Sequence, residues 1–94
     1  MGKYIKGSGY TPIYVTVRYT EQNNTPESPV PVGAGLTYDW AVRFAEHNVQ
    51  DYLQEGYIIV EEIKQYHNYY CMLQNASGSD IVILRTCSCA LVHN

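Results

Sequence analysis

The sequence is poor in charged residues and has no basic cluster. Only 16% of its 94 residues are Asp, Glu, Lys or Arg, and the six Lys and Arg are scattered along the chain. Duplex nucleic acid is bound largely through Lys and Arg contacts to phosphates, so a net charge of −3 without a basic patch argues against such a partner. We expect neutral polar groups to cover most of the surface.

Long hydrophobic runs are also missing. No apolar stretch reaches the length of about 18 residues that a transmembrane helix needs, so we predict no membrane partner. The first ten residues lack the apolar region of a secretory signal, which favours a cytoplasmic protein. In that reducing setting the three cysteines, an odd number, are expected to be free thiols.

Catalytic and metal-binding motifs are weak. Cys87 and Cys89 form a C-x-C pair, with His67, Cys71 and His93 elsewhere in the C-terminal third. On a strand such a pair shares one face at a spacing of about 6.5–7 Å, which is long for a disulfide. Structural zinc usually takes a wider C-x₂₋₄-C spacing. We therefore predict buried thiols, with no metal, no cofactor and no catalytic residue.

Tyrosine, in contrast, is abundant. The chain has ten tyrosines but one Phe and one Trp. A tyrosine ring packs while its hydroxyl stays hydrated, which suits a binding surface. The alternative is that tyrosine simply favours β-strands.

Residues 36–56 form the one convincing helix. Their apolar positions recur with helical periodicity, Thr37 is the expected N-cap, and Gly56 fits the position that ends the helix. The stripe predicted to face the core consists of Tyr38, Ala41, Val42, Ala45, Val49, Tyr52 and Leu53.

The remaining segments alternate as strands do. The predicted strands are 13–20, 57–66, 69–74 and 80–92. Short connections make the last three strands an antiparallel meander, and the first strand, linked through the helix, can lie parallel to a neighbour. We predict a two-layer α+β fold, one helix on a four-stranded, mainly antiparallel sheet in the order β-α-β-β-β. Glu61 and Glu62 interrupt the alternation and indicate a bulge.

The whole chain, 1–94, is predicted to be a single domain. Residues 1–11, with three glycines, are expected to be a mobile N-terminus, and the Pro- and Gly-rich residues 21–35 a long loop. In the first strand, Tyr14, Thr16 and Arg18 are expected to be solvated.

The fourth strand has two unusual features. It outruns its hairpin partner, so residues 86–92 must pair with the first strand or with a second subunit. It is also apolar on both faces, which normally means burial on both. One helix can cover only one face, so the second face would have to be covered by another chain. The sequence therefore predicts a homodimer.

Four helical residues outside the core stripe form an aromatic ridge. Trp40, Phe44, His47 and Asp51 follow one another at helical spacing and combine two aromatic anchors with a polar end. Such a ridge suits a partner protein or a stacked base. Alternatively, residues 21–35 fold back over it.

Three hypotheses of function follow. The first is a non-enzymatic binding protein that occupies a partner protein's surface, as inhibitors of host systems encoded by phages and mobile elements do. Its anchors are the aromatic ridge and the tyrosines around His67, namely Tyr66, Tyr69 and Tyr70.

The second hypothesis is a nucleotide-binding protein. Aromatic rings hold the base, and the arginines Arg18, Arg43 and Arg85 meet the phosphates. The third is a small metal protein or enzyme that uses His47 and His67 with the two cysteines of the C-x-C pair.

Overall fold

The computed structural model describes residues 10–65 and 67–92, which form one helix and six strands. The helix is α1 (Tyr38–Gln54). The strands are β1 (Tyr10–Gln22), β2 (Thr25–Pro26), β3 (Val30–Gly35), β4 (Ile58–Gln65), β5 (Asn68–Gln74) and β6 (Asp80–Val92). The α+β class with one helix is confirmed. No helix in the described ranges has the length and apolar character needed to cross a membrane.

The six strands form one sheet in the order β2-β1-β6-β5-β4, with β3 also paired to β1. All of these pairs are antiparallel, so the expected parallel placement of the first strand is wrong. The central pair, β1 and β6, runs from Tyr10 opposite Val92 to Gln22 opposite Asp80. The C-terminal part of β6 therefore pairs with the first strand of its own chain, one of the two partners that its length predicted.

The predicted count of four strands is wrong, because residues 21–35 contain two more. Asn23 and Asn24 both have positive φ, 51° and 64°, and they join Gln22 to Thr25 as a two-residue hairpin turn. Asparagine tolerates this conformation, and such turns match the twist of the strands that they connect. The chain then returns along β1 as β3, so the segment predicted as a loop is largely paired.

The predicted helix is confirmed together with its ends. The backbone N–H of Trp40 donates to the Thr37 hydroxyl at 3.2 Å, and Gly56 follows the helix with φ of 96°. Ala41, Ala45 and Val49, all from the predicted core stripe, are its buried residues.

The face of β1 that meets the helix is the polar one. Thr16 is fully buried and its hydroxyl donates to the Ala41 carbonyl at 2.6 Å, while Tyr14 contacts Tyr38 and Arg18 lies within 3.4 Å of Asn48. The expectation of solvation is therefore wrong for Thr16, whereas Tyr14 and Arg18 are half-buried beside the helix. Alternation along a strand defines two faces, but packing decides which of them is covered.

The core lies between α1 and the middle of the sheet. Tyr69, Cys71 and Leu73 of β5 alternate inward beside Val82 and Leu84 of β6. The register of β4 against β5 shifts between Ile59 and Glu61, which confirms the predicted bulge.

Of the segment 1–11 that was predicted to be mobile, residues 1–9 lie outside the described residues. Tyr10 and Thr11 belong to β1, where they pair with Val92 and Leu91 of β6.

Candidate functional site

The two aromatic side chains of the predicted ridge pack against β3. A Cβ atom placed on Gly33 would lie 2.1 Å from Cγ of Phe44, and one on Gly35 would lie 2.5 Å from Cδ1 of Trp40. The Phe44 and Trp40 rings contact each other edge to face, with centroids 6.3 Å apart. The segment 21–35 thus covers Phe44, which was the alternative interpretation of the ridge.

Trp40 nevertheless keeps 52% of its surface exposed. The guanidinium carbon of Arg43 lies 5.3 Å from the centroid of its ring, a cation–π arrangement. Phe44 on one side and the backbone of Gly35 below hold the indole in place. An ordered, half-exposed Trp with an Arg stacked on it has the composition of a protein-binding hot spot. We call this pair the Trp40–Arg43 surface.

The polar end of the ridge is solvent-exposed. His47 and Asp51 both lie on the outer side of α1, and no hydrogen bond joins them within the described residues. His47 lines a shallow depression with Arg43, Glu46 and Gln50. None of the residues that line this depression is a Ser, Thr or Cys that could act as a nucleophile beside His47.

The three arginines proposed for a nucleotide lie on three different surfaces. Arg18 lies between β1 and α1, with its Nε atom buried and without a hydrogen bond. Arg43 lies on the outside of the helix, and Arg85 is on the far side of the sheet, opposite Val17 and Tyr70. A single nucleotide cannot contact all three.

The predicted tyrosine cluster around His67 is divided by strand alternation. Tyr69 points into the core and is 1% exposed, whereas Tyr70 points to the opposite face. Tyr66 lies outside the described residues. Instead, His67, which has a positive φ of 57°, contacts Tyr38 and Tyr14 at centroid distances of 5.2 and 5.4 Å.

This second aromatic cluster borders a cleft of about 540 Å³ at the start of the helix. The Tyr38 hydroxyl donates to the carbonyl of Gln65 at 3.3 Å, which ties the helix to the end of β4. Burial raises the pKa of Tyr38. The cleft was not predicted, because Tyr14, Tyr38 and His67 are far apart in sequence and only the topology brings them together.

We expect the buried Tyr69 to make the fold less stable at alkaline pH. Its hydroxyl donates to Oε2 of Glu62 at 3.3 Å, and burial, followed by the nearby Cys71 and Glu62, raises its pKa well above the ordinary value. Above a pH of about 10 the unfolded chain releases a proton that the folded state retains, so the free energy of unfolding should fall as pH rises.

We expect Tyr69→Phe to show a shallower fall, because phenylalanine removes this titration. Urea titrations of both proteins between neutral pH and pH of about 11 measure the two slopes. Equal slopes for Tyr69→Phe and the unmodified protein would contradict the assignment.

The face of the sheet opposite the helix is largely apolar. Neighbouring strands contribute Val15 opposite Cys87, Tyr19 opposite Ile83, and Met72 beside Ile83. No helix or strand in the described ranges packs on it. We call it the open face. Its apolar side chains are Ile13, Val15, Val17, Tyr19, Ile63, Tyr70, Met72, Ile81 and Ile83.

The cysteines are divided between the two faces of the sheet. Cys71 is buried on the helix side, where burial raises its thiol pKa, whereas Cys87 and Cys89 lie on the open face. All three are free thiols. Within residues 10–65 and 67–92, no three His, Cys, Asp or Glu side chains are grouped so that they could hold a metal ion. His93 lies outside this range.

Comparison with protein-family models, with curated proteins and with solved structures finds no match for this chain.

Proposed function

We propose that this chain is a non-enzymatic binding protein that occupies the surface of a protein partner through the Trp40–Arg43 surface. The half-exposed indole of Trp40, held by Phe44 and stacked against Arg43, is the observation that carries the proposal. A side chain that is already ordered loses little conformational entropy on binding, so more of its contact free energy appears as affinity.

The mode of action that we propose is exclusion. The bound chain would keep other ligands from the partner's surface. The role we assign is that of an inhibitor by occupancy, of the kind that phages and mobile elements use against host systems. The nucleotide alternative is supported less, since Arg18, Arg43 and Arg85 do not converge.

Trp40→Ala is expected to weaken partner binding at least about 30-fold, which corresponds to the roughly 2 kcal/mol that defines a hot-spot residue. Quantitative affinity capture from cells, with the unmodified chain and the variant as baits, identifies the partner that only the former retains. Titration with that purified partner then gives both dissociation constants.

Gln54→Ala is the matched control, because Gln54 is also exposed on α1 but lies about 21 Å further along the helix axis. It should retain the partner fully. Trp40 is the only tryptophan, so its fluorescence reports the contact directly: quenching by acrylamide should decrease when the partner is added. A partner that binds Trp40→Ala and the unmodified chain equally would refute the proposal, and a melting-temperature increase with a nucleotide would favour the alternative.

A further inference from the structure

The helix α1 covers one face of the sheet, and no element of the described residues packs on the other, the open face. It spans four strands and about nine residues along β1 and β6, which is roughly 19 by 28 Å, or about 500 Å². This footprint, which also holds Arg85 and Glu61, is comparable with the largest apolar patch of a typical monomer, and such patches are often functional. Strand β6 adds a second indication, because Ile81 and Ile83 point to this face while Val82 and Leu84 point into the core.

We infer that the open face is the interface of a homodimer, in which two copies of the chain pack sheet against sheet. This inference is independent of the proposed function, because the Trp40–Arg43 surface lies on the other layer of the molecule and stays accessible in such a dimer.

No other element within residues 10–65 and 67–92 covers the open face. Strands β2 and β3 lie along the edge of β1, and α1 packs on the opposite face.

A second copy fits the area and the charge of this face. Two open faces together remove about 1,000 Å² of flat surface from water, which reaches the lower size limit of a specific interface. The charged groups on the face have both signs, with Arg85 on β6 and Glu61 on β4. Two identical faces therefore do not repel each other, and a cation of one copy has an anion of the other available. Side chains from facing sheets interdigitate over about 10 Å, as in a β-sandwich.

The test is the mass of the full-length chain, measured by native mass spectrometry and by analytical ultracentrifugation at micromolar concentration. The unmodified chain should have twice the monomer mass of 10.7 kDa. Ile83→Lys places a charge in the middle of the open face and should weaken dimerisation at least about 100-fold.

Two further variants separate dissociation from misfolding. Tyr19→Lys changes a side chain at the exposed margin of the same face, so it should dissociate the dimer while keeping the far-ultraviolet circular dichroism of the parent. Gln50→Lys adds the same charge to the exposed side of α1 and should leave the dimer intact.

Native cysteines provide a second readout. Cys89 is exposed on the open face of one chain, whereas Cys71 is buried on the helix side. A thiol reagent should modify Cys89 more slowly in the parent than in Tyr19→Lys, with Cys71 modified equally slowly in both. A monomeric parent would overturn the inference. Two other results would also overturn the inference. One is a folded Tyr19→Lys variant that is still a dimer and leaves Cys89 unprotected. The other is a Gln50→Lys variant that dissociates.

Discussion

Gly33→Ala is expected to lower the free energy of unfolding by about 3 kcal/mol, the upper end of the range for overpacking, and to lower the melting temperature by roughly 15 °C. A Cβ atom on Gly33 would lie 2.1, 2.4 and 2.6 Å from Cγ, Cδ2 and Cβ of Phe44. The last of these atoms is the decisive one. A ring can rotate away, but Cβ moves only with the backbone, so α1 would have to shift away from β3.

The double-mutant cycle with Phe44→Ala tests this cause. Phe44→Ala removes the contacts with Cγ and Cδ2 but keeps the contact with Cβ, so Gly33→Ala should be less damaging in the Phe44→Ala background but still destabilising. Ala34→Val is the control, because Ala34 is exposed on the other side of the same strand, and it should change stability by about 0.5 kcal/mol or less. Thermal and urea unfolding measure the four proteins of the cycle and the control, and additive effects in the cycle would refute the proposed contact.

Gly35→Ala should cost less than Gly33→Ala. Its added Cβ atom would meet Cδ1 of Trp40 at 2.5 Å but Cβ of Trp40 only at 3.1 Å. Because the indole is half-exposed, it has room to turn. The stabilities of the two alanine variants therefore separate two causes. A clash with Cβ of Phe44 requires the helix backbone to move, whereas a clash with the Trp40 ring is relieved when the side chain turns.

Thr16→Val is expected to destabilise the fold by about 3 kcal/mol, more than the mirror change Thr86→Val. The Thr16 hydroxyl uses its one proton on the Ala41 carbonyl at 2.6 Å, so the Thr86 hydroxyl, 2.7 Å away, donates to Thr16. Valine at position 16 removes both bonds and leaves the buried Thr86 hydroxyl without a partner. Valine at position 86 removes one bond and leaves the contact between Thr16 and the helix intact.

The combined variant gives the sharper result. With valine at both positions no hydroxyl is stranded, and the Ala41 carbonyl keeps its place in the helix. The double variant should therefore be more stable than Thr16→Val alone, by about 2 kcal/mol. Urea unfolding at neutral pH gives the four free energies. A double variant that is less stable than Thr16→Val would contradict this expectation. It would show that the Thr86 hydroxyl stabilises the sheet even when Thr16 is absent.

The elements that depend on local chemistry were predictable. The helix follows from the period of its apolar residues and from the hydroxyl of Thr37, both of which are local along the chain. The β5–β6 hairpin and the bulge in β4 follow from alternation and its interruption at Glu61. The hairpin at Asn23 and Asn24 carried a local signal as well, because two asparagines tolerate positive φ, but proline-rich flanks favoured a loop.

The candidate site was predictable only in part. Trp40 and Phe44 were singled out because they lie outside the core stripe of the helix, and the structure shows why they are there: Gly33 and Gly35 leave space for their rings on β3. The separation of Arg18, Arg43 and Arg85 could not be read from the sequence, since each belongs to a different element and their relative positions depend on the sheet order.

By itself, the sequence determined one helix, its core stripe, the main antiparallel strands and the presence of two distinct faces on β1, because periodicity and capping act within a few residues. Only the tertiary structure decided which face of β1 meets the helix. The reason is physical: Thr16 satisfies its hydroxyl with Ala41 and Thr86 when it is buried, so the polar face is compatible with the core. The apolar residues Val15 and Val17 are thereby directed to the open face.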